Sequence, residues 1–101
     1  MKMRLNLAYR EILRLADMLT HAGIVFVMER LYDGWALVYG TLADGEVCSV
    51  IEHWVSYGHE ADRLEIMGLL TEAEQKIFGD AVGWLTADDV FERIKAHHER
   101  R

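Results

Sequence analysis

IVFVMERLYDGWALVYGTLADGEVCSVIEHWV, residues 24–55, decides the fold. Its runs of β-branched and aromatic residues are broken at Asp33-Gly34 and Asp44-Gly45. Asp-Gly between apolar runs is the strongest short hairpin signal. The pattern predicts a three-stranded antiparallel meander over about residues 24–32, 35–42 and 46–55.

Two-residue turns at both Asp-Gly pairs would set the register. Tyr32 then faces Trp35, Arg30 faces Leu37 and Met28 faces Tyr39. In the second hairpin Tyr39 faces Val50, Leu37 faces Glu52 and Trp35 faces Trp54. One sheet face carries Met28, Arg30, Tyr32, Trp35, Leu37, Tyr39, Cys48, Val50, Glu52 and Trp54. The other is largely aliphatic, with Val25, Val27, Leu31, Ala36, Val38, Leu42, Val47, Ile51 and Val55 and with Glu29, Ser49 and His53 among them, and is the expected floor for the helices.

On either side of the meander the spacing turns helical. From Asn6 onward, Ala8, Ile12, Leu15, Ala16 and Leu19 form an apolar stripe, and Gly23 ends it because glycine adopts a left-handed C-cap without a Cβ clash. HEADRLEIMGLL, from His59, reads as a second helix. GLLTEAE (68–74) and GWLTADD (83–89) share Gly-x-Leu-Thr-x-x-acid, which predicts N-caps at Thr71 and Thr86, with Glu74 in a capping box and Leu85 stapled to Val90. AVGWL (81–85) reads as a loop or a fourth, edge strand. The last helix runs from Ala87 to about His98, burying Val90, Phe91 and Ile94, with His97 and His98 solvated at its C-terminal end. The expected class is α+β: an N-terminal helix, a three-stranded antiparallel β-meander, and two or three C-terminal helices on one face of the sheet.

Composition bounds the function. At 101 residues and 51% hydrophobic, the chain fits one α+β domain, 1–101, with a single core. A formal net charge of −6 argues against direct nucleic-acid binding, which needs clustered Lys and Arg. The acidity is concentrated, because residues 24–58 carry five carboxylates and only Arg30 as a cation. One cysteine, Cys48, excludes an internal disulfide and fits a reducing compartment, and no apolar run is long enough to span a bilayer. Cytosol is the expected location, with no membrane contact.

No sequence motif points to catalysis, and no cofactor is expected. Cys48 and His53 are five apart in one strand and face opposite ways, so they form no nucleophile and base pair. His53 and His59 with Glu52 or Glu60 match no usual zinc spacing. Two binding readings remain. At one sheet end, Trp35 beside Trp54, with Tyr32, Arg30 and Glu52, supplies rings and a guanidinium that stack a base or anchor a protein; the alternative is that these aromatics are core. At the corner SYGHE, backbone amides with Ser56, Tyr57 and His59 offer an anion site, against the reading of ordinary turn chemistry.

YREILRLADML, AGIVFVMERLYDGWALVYG, VCSVIEHWVSYGHEADRLEIMGLLT and VGWLTADDVFERI together resemble small uncharacterised proteins of bacterial prophages and mobile elements. The resemblance covers most of the chain. It implies an anti-defence accessory role: a phage-type inhibitor that neutralises a host defence protein, as an anti-CRISPR does a nuclease, or sequesters a nucleotide immune signal on Trp54 or Trp35 with Arg30 or His59 for phosphate. The alternative is a homo-oligomeric regulatory or structural phage protein whose aromatic sheet face is the subunit interface.

Overall fold

The computed structural model describes residues 9–100. Helix α1 (Arg10–His21) precedes strands β1 (Val27–Leu31), β2 (Gly34–Thr41) and β3 (Gly45–Glu52). A 3-10 turn, His59–Ala61, leads into β4 (Leu64–Met67), then α2 (Glu72–Phe78), β5 (Ala81–Leu85) and α3 (Ala87–Glu99). The sheet has five strands in sequence order, all antiparallel, so the α+β class holds and the meander is longer than three strands. The part of the N-terminal stripe at Asn6 and Ala8 lies outside the described residues.

The added strands have separate causes. HEADRLEIMGLL is not a helix: Leu64 and Ile66 are buried on either side of the half-buried Glu65, a period-two pattern that suits a strand, and Asp62 breaks the preceding turn with φ 55°. AVGWL is the edge strand, distorted where Gly83 and Trp84 together oppose Glu65.

Both hairpins form, but in another register. Leu31 pairs with Gly34 and Arg30 with Trp35, so the first turn is Tyr32-Asp33, with Tyr32 at φ 56°. The cause is tertiary. A Cβ on Gly34 would run into the Glu52 carbonyl, so glycine is needed as the first residue of β2 rather than inside the turn. Asp33 is held by two distant donors, the Tyr9 hydroxyl at 2.7 Å and the Trp54 amide at 3.0 Å. In the second hairpin, Trp35 pairs with Glu52 and Leu37 with Val50, and the pairing slips at Tyr39/Gly40. Its loop is Leu42-Ala43-Asp44, with Gly45 left-handed at φ 70° where β3 begins. Over the regular pairs each register has moved by two, which keeps every side chain on its expected face while taking Trp54 away from Trp35.

The helices cover the face opposite to the expected one. Leu37, Tyr39, Cys48, Val50, Leu64 and Ile66 are buried with Ile12, Leu15 and Leu19 of α1 and Val90 and Ile94 of α3, so the aromatic-bearing face is the core and the aliphatic face carries neither α1 nor α3. Tyr39 shows how an aromatic with a polar tip is accommodated: its ring is buried and its hydroxyl lies 2.9 Å from His97 Nδ1, with the two rings edge to face at 5.5 Å. His97 is therefore not simply solvated, since its Nε2 also meets Asp44 at 3.1 Å.

Capping follows the sequence. The α1 chain reverses through a Schellman arrangement, with Gly23 N–H donating to Thr20 O and Ile24 N–H to Leu19 O. Thr71 with Glu74 and Thr86 with Asp89 both form reciprocal capping boxes. Arg93 of α3 ties α2 down by a two-pronged bond to Glu74 at 2.8 and 2.7 Å and a bond to Leu69 O at 3.0 Å.

The start of α1 is the exception. Tyr9 supplies no side-chain cap, and the first amides are satisfied from far away: Glu11 N–H donates to Asp62 Oδ1 at 3.0 Å and Ile12 N–H to Glu52 Oε1 at 3.1 Å. Glu11 in turn accepts from Ala87 N–H at the head of α3, 2.6 Å away. Three carboxylates thus lock α1 to the sheet, the corner and α3.

Candidate functional site

The stretch EHWVSYGHE is a turn, built from its own side chains. β3 ends at Glu52, and Ser56 folds the chain back, its hydroxyl accepting from His53 N–H at 3.0 Å and donating to His53 O at 2.9 Å. His53 is buried, and its Nδ1 accepts from Val55 N–H at 3.2 Å, which leaves the proton of the neutral ring on Nε2. Burial holds its pKa below the ordinary histidine value.

The corner amides are not a free anion site. Trp54 N–H donates to Asp33, Ser56 N–H to His53 O, Tyr57 N–H to Glu65 Oε1 at 2.8 Å, and His59 N–H to Ser56 O. The helix that was to present them is a three-residue 3-10 turn. Ser56 is buried, and half-buried His59 lies 3.7 Å from Glu60.

The expected aromatic end is also dispersed. Arg30 stacks on Trp35, 4.8 Å from the ring centroid, while Tyr32 is exposed at the hairpin tip with its ring edge to face with His53 at 5.1 Å. Glu52 faces inward and is fully buried. Burial, then the neighbouring Asp62 carboxyl, push its pKa up to about 9, so it keeps its proton at neutral pH. It is a structural acid beyond the reach of a ligand. Cys48 is likewise buried, its thiol pushed up to about 12. Among the described residues no three His, Cys, Asp or Glu side chains gather as a metal site.

What the fold does assemble is an apolar groove of about 550 Å³ at the β5 edge, lined by Tyr57, Ile77, Phe78, Ala81, Val82, Gly83 and Trp84. Tyr57 packs so closely on Gly83 that a Cβ there would overlap its own, and its carbonyl accepts from Trp84 N–H at 3.3 Å. Tyr57, Ile77, Phe78 and Trp84 are 64%, 72%, 60% and 58% exposed. Trp84 has φ 64°, a left-handed backbone that is rare for a bulky side chain and clusters at functional positions. Trp54 and Val55, also more than half exposed, sit on the same corner just before Tyr57.

Of the residues singled out from sequence, only Tyr57 lines this groove. Ile77, Phe78 and Trp84 were missed, although EAEQKIFGD carried a signal: an apolar pair ends a short polar helix that has no stripe to bury it. Comparison with family models, with curated proteins and with solved structures finds no match to this chain.

Proposed function

We propose that the protein is a non-enzymatic binding module that captures a protein partner at the Tyr57, Ile77, Phe78 and Trp84 groove. The observation that carries this reading is four large side chains, each more than half exposed, converging on one groove. Rings and aliphatics of this kind are what interface anchors are made of. A protein is better supported than a nucleotide signal. Among the described residues no cation lines the groove to meet a phosphate, and the Arg30 guanidinium is already engaged on Trp35. Within the prophage resemblance, the partner is a host defence component and the action is occlusion, as in an anti-CRISPR inhibitor.

Trp84→Gly tests this without threatening the fold, because glycine relieves the left-handed backbone while removing the ring. The parent, used as bait in cells carrying the defence system, should retain a stoichiometric protein identifiable by mass spectrometry. Trp84→Gly and Phe78→Ser should lose it and keep the parent's circular dichroism. A nucleotide in place of a protein, or full retention by both variants, refutes the groove.

A further inference from the structure

The sheet runs β1-β2-β3-β4-β5, so among the described residues β1 and β5 each have one side without a neighbouring strand. In an antiparallel ladder every second residue of such an edge turns its N–H and C=O outward, which makes a template for another chain. The β1 edge is guarded by charge, since Glu29 and Arg30 lie within it. The β5 edge, Ala81-Val82-Gly83-Trp84-Leu85, carries no charged side chain. Its bulge does not close it. Trp84 N–H is taken by the Tyr57 carbonyl, and among the described residues the backbone of β5 makes no other hydrogen bond outside the sheet.

The apolar groove follows this edge. Val82 faces the core, whereas a Cβ on Gly83 would meet Tyr57 on the opposite face, yet both residues line the one groove. Helix α2, tied to α3 through Arg93, brings Ile77 and Phe78 to it from the core side. Strand backbone thus forms the floor, with apolar walls on either side. We propose that the groove takes an extended segment of the protein partner, which adds to β5 as a sixth strand and lays its apolar side chains against Phe78 and Trp84. This rests on the reading of the groove as a protein-binding site.

The edge selects its occupant. A helix keeps its own N–H and C=O groups paired internally and would leave the outward groups of β5 unanswered, whereas an extended chain answers them in register. A second copy is the other chain with a strand to offer, and charge opposes it. Two β5 strands paired antiparallel about Gly83 would set Asp80 opposite Thr86, beside Asp88 and Asp89; paired about Trp84, they would set Asp80 opposite Asp88 itself. Asp80 is exposed at the head of β5 and is in no ion pair among the described residues. The segment that fits is therefore apolar along the strand, with a Lys or Arg at the end that meets Asp80.

The probes are overlapping synthetic peptides of about ten residues that cover the protein retained by the full chain as bait. One peptide should bind the full chain. Methylating its alternate backbone nitrogens in one register should weaken binding by about tenfold, because those N–H groups face β5, while methylation in the other register should leave it unchanged. Asp80→Lys should weaken the same peptide, and amide exchange in β5 should slow when it is bound. Equal effects of the two methylated registers, or β5 amides that exchange as fast with the retained protein bound as without it, overturn strand addition even where Trp84→Gly and Phe78→Ser lose that protein and so uphold the groove. A bait that retains no protein overturns both readings together. A parent chain that sediments as a dimer, and as a monomer once Trp84→Gly is made, gives the edge to a second copy and overturns the proposal.

Discussion

The parent should lose stability as pH rises from neutral to mildly alkaline, and Glu52→Gln should abolish that loss. In the folded chain the Glu52 pKa is pushed up to about 9 from its ordinary 4.5, chiefly by burial and then by Asp62. Below about pH 4.5 both folded and unfolded chains hold the proton. Between the two values the folded chain keeps it and the unfolded chain does not, so stability falls as pH rises and levels off only above about 9. One proton sets the slope at about 1.4 kcal/mol per pH unit.

Other groups confine the cleanest window. His53, lowered by burial, is neutral in both states well above its ordinary 6.5, and the lowered carboxylates Asp33, Glu74 and Asp89 have already contributed in full. The thiol of Cys48, raised to about 12, adds a slope of the same sign only as pH passes its ordinary 9.0. From about pH 7 to about pH 8.5 the parent should therefore lose about 2 kcal/mol through Glu52. With a urea m-value of about 1 kcal/mol/M, the midpoint drops by about 2 M. The glutamine keeps the acceptor for Ile12 N–H and places a permanent donor beside Asp62. Its midpoint should be flat over the window. Equal pH slopes for parent and variant would refute the assignment of Glu52 as a buried, protonated acid.

Gly34→Val should lower the melting temperature sharply, because the new side chain meets the Glu52 carbonyl; the cause is close approach rather than turn geometry, so Gly34→Ala should do much of the same damage. Arg93→Ala should cost about 1–3 kcal/mol by removing the charge-assisted pair with Glu74. Because Arg93 holds the Glu74 pKa down at about 2, that stability is complete above the ordinary carboxylate pKa and is lost as pH falls toward 2, so the acid unfolding midpoint of Arg93→Ala should move up. Trp54→Ala should shift the melt little, since the side chain is 60% exposed and only its backbone amide is engaged, whereas a core tryptophan would cost about 3–5 kcal/mol.

Where local chemistry decides structure, the sequence was sufficient. Gly23, Thr71, Thr86 and Glu74 act within a few residues of themselves, and each end they were expected to build is present. The side-chain faces of β1, β2 and β3 were legible as well over their regular pairs, because a register error of two leaves alternation intact. Turn position was not, since it depends on contacts between Gly34 and Glu52 and between Asp33, Tyr9 and Trp54, all distant in sequence. The candidate site suffered for the same reason. Trp35 and Trp54 were joined by a register that tertiary contacts displaced, and the groove that does form needs the corner, α2 and the β5 bulge brought together.

The choice of sheet face shows that polar satisfaction can outweigh aliphatic content. Both faces carry enough apolar area to seat helices, so hydrophobicity alone does not separate them. The difference lies in Glu52 and Tyr39. Helix α1 has no side-chain cap of its own, and Glu52 supplies an acceptor for its third amide, Ile12 N–H, on the aromatic-bearing face, while Asp62 supplies one for the second, Glu11 N–H. Tyr39 finds His97 when α3 lies on that face. On the aliphatic face the helices would give up these partners, at a cost of about 1–3 kcal/mol for each buried group left unsatisfied. Two helices are thereby drawn to the side of the sheet where these polar groups find partners.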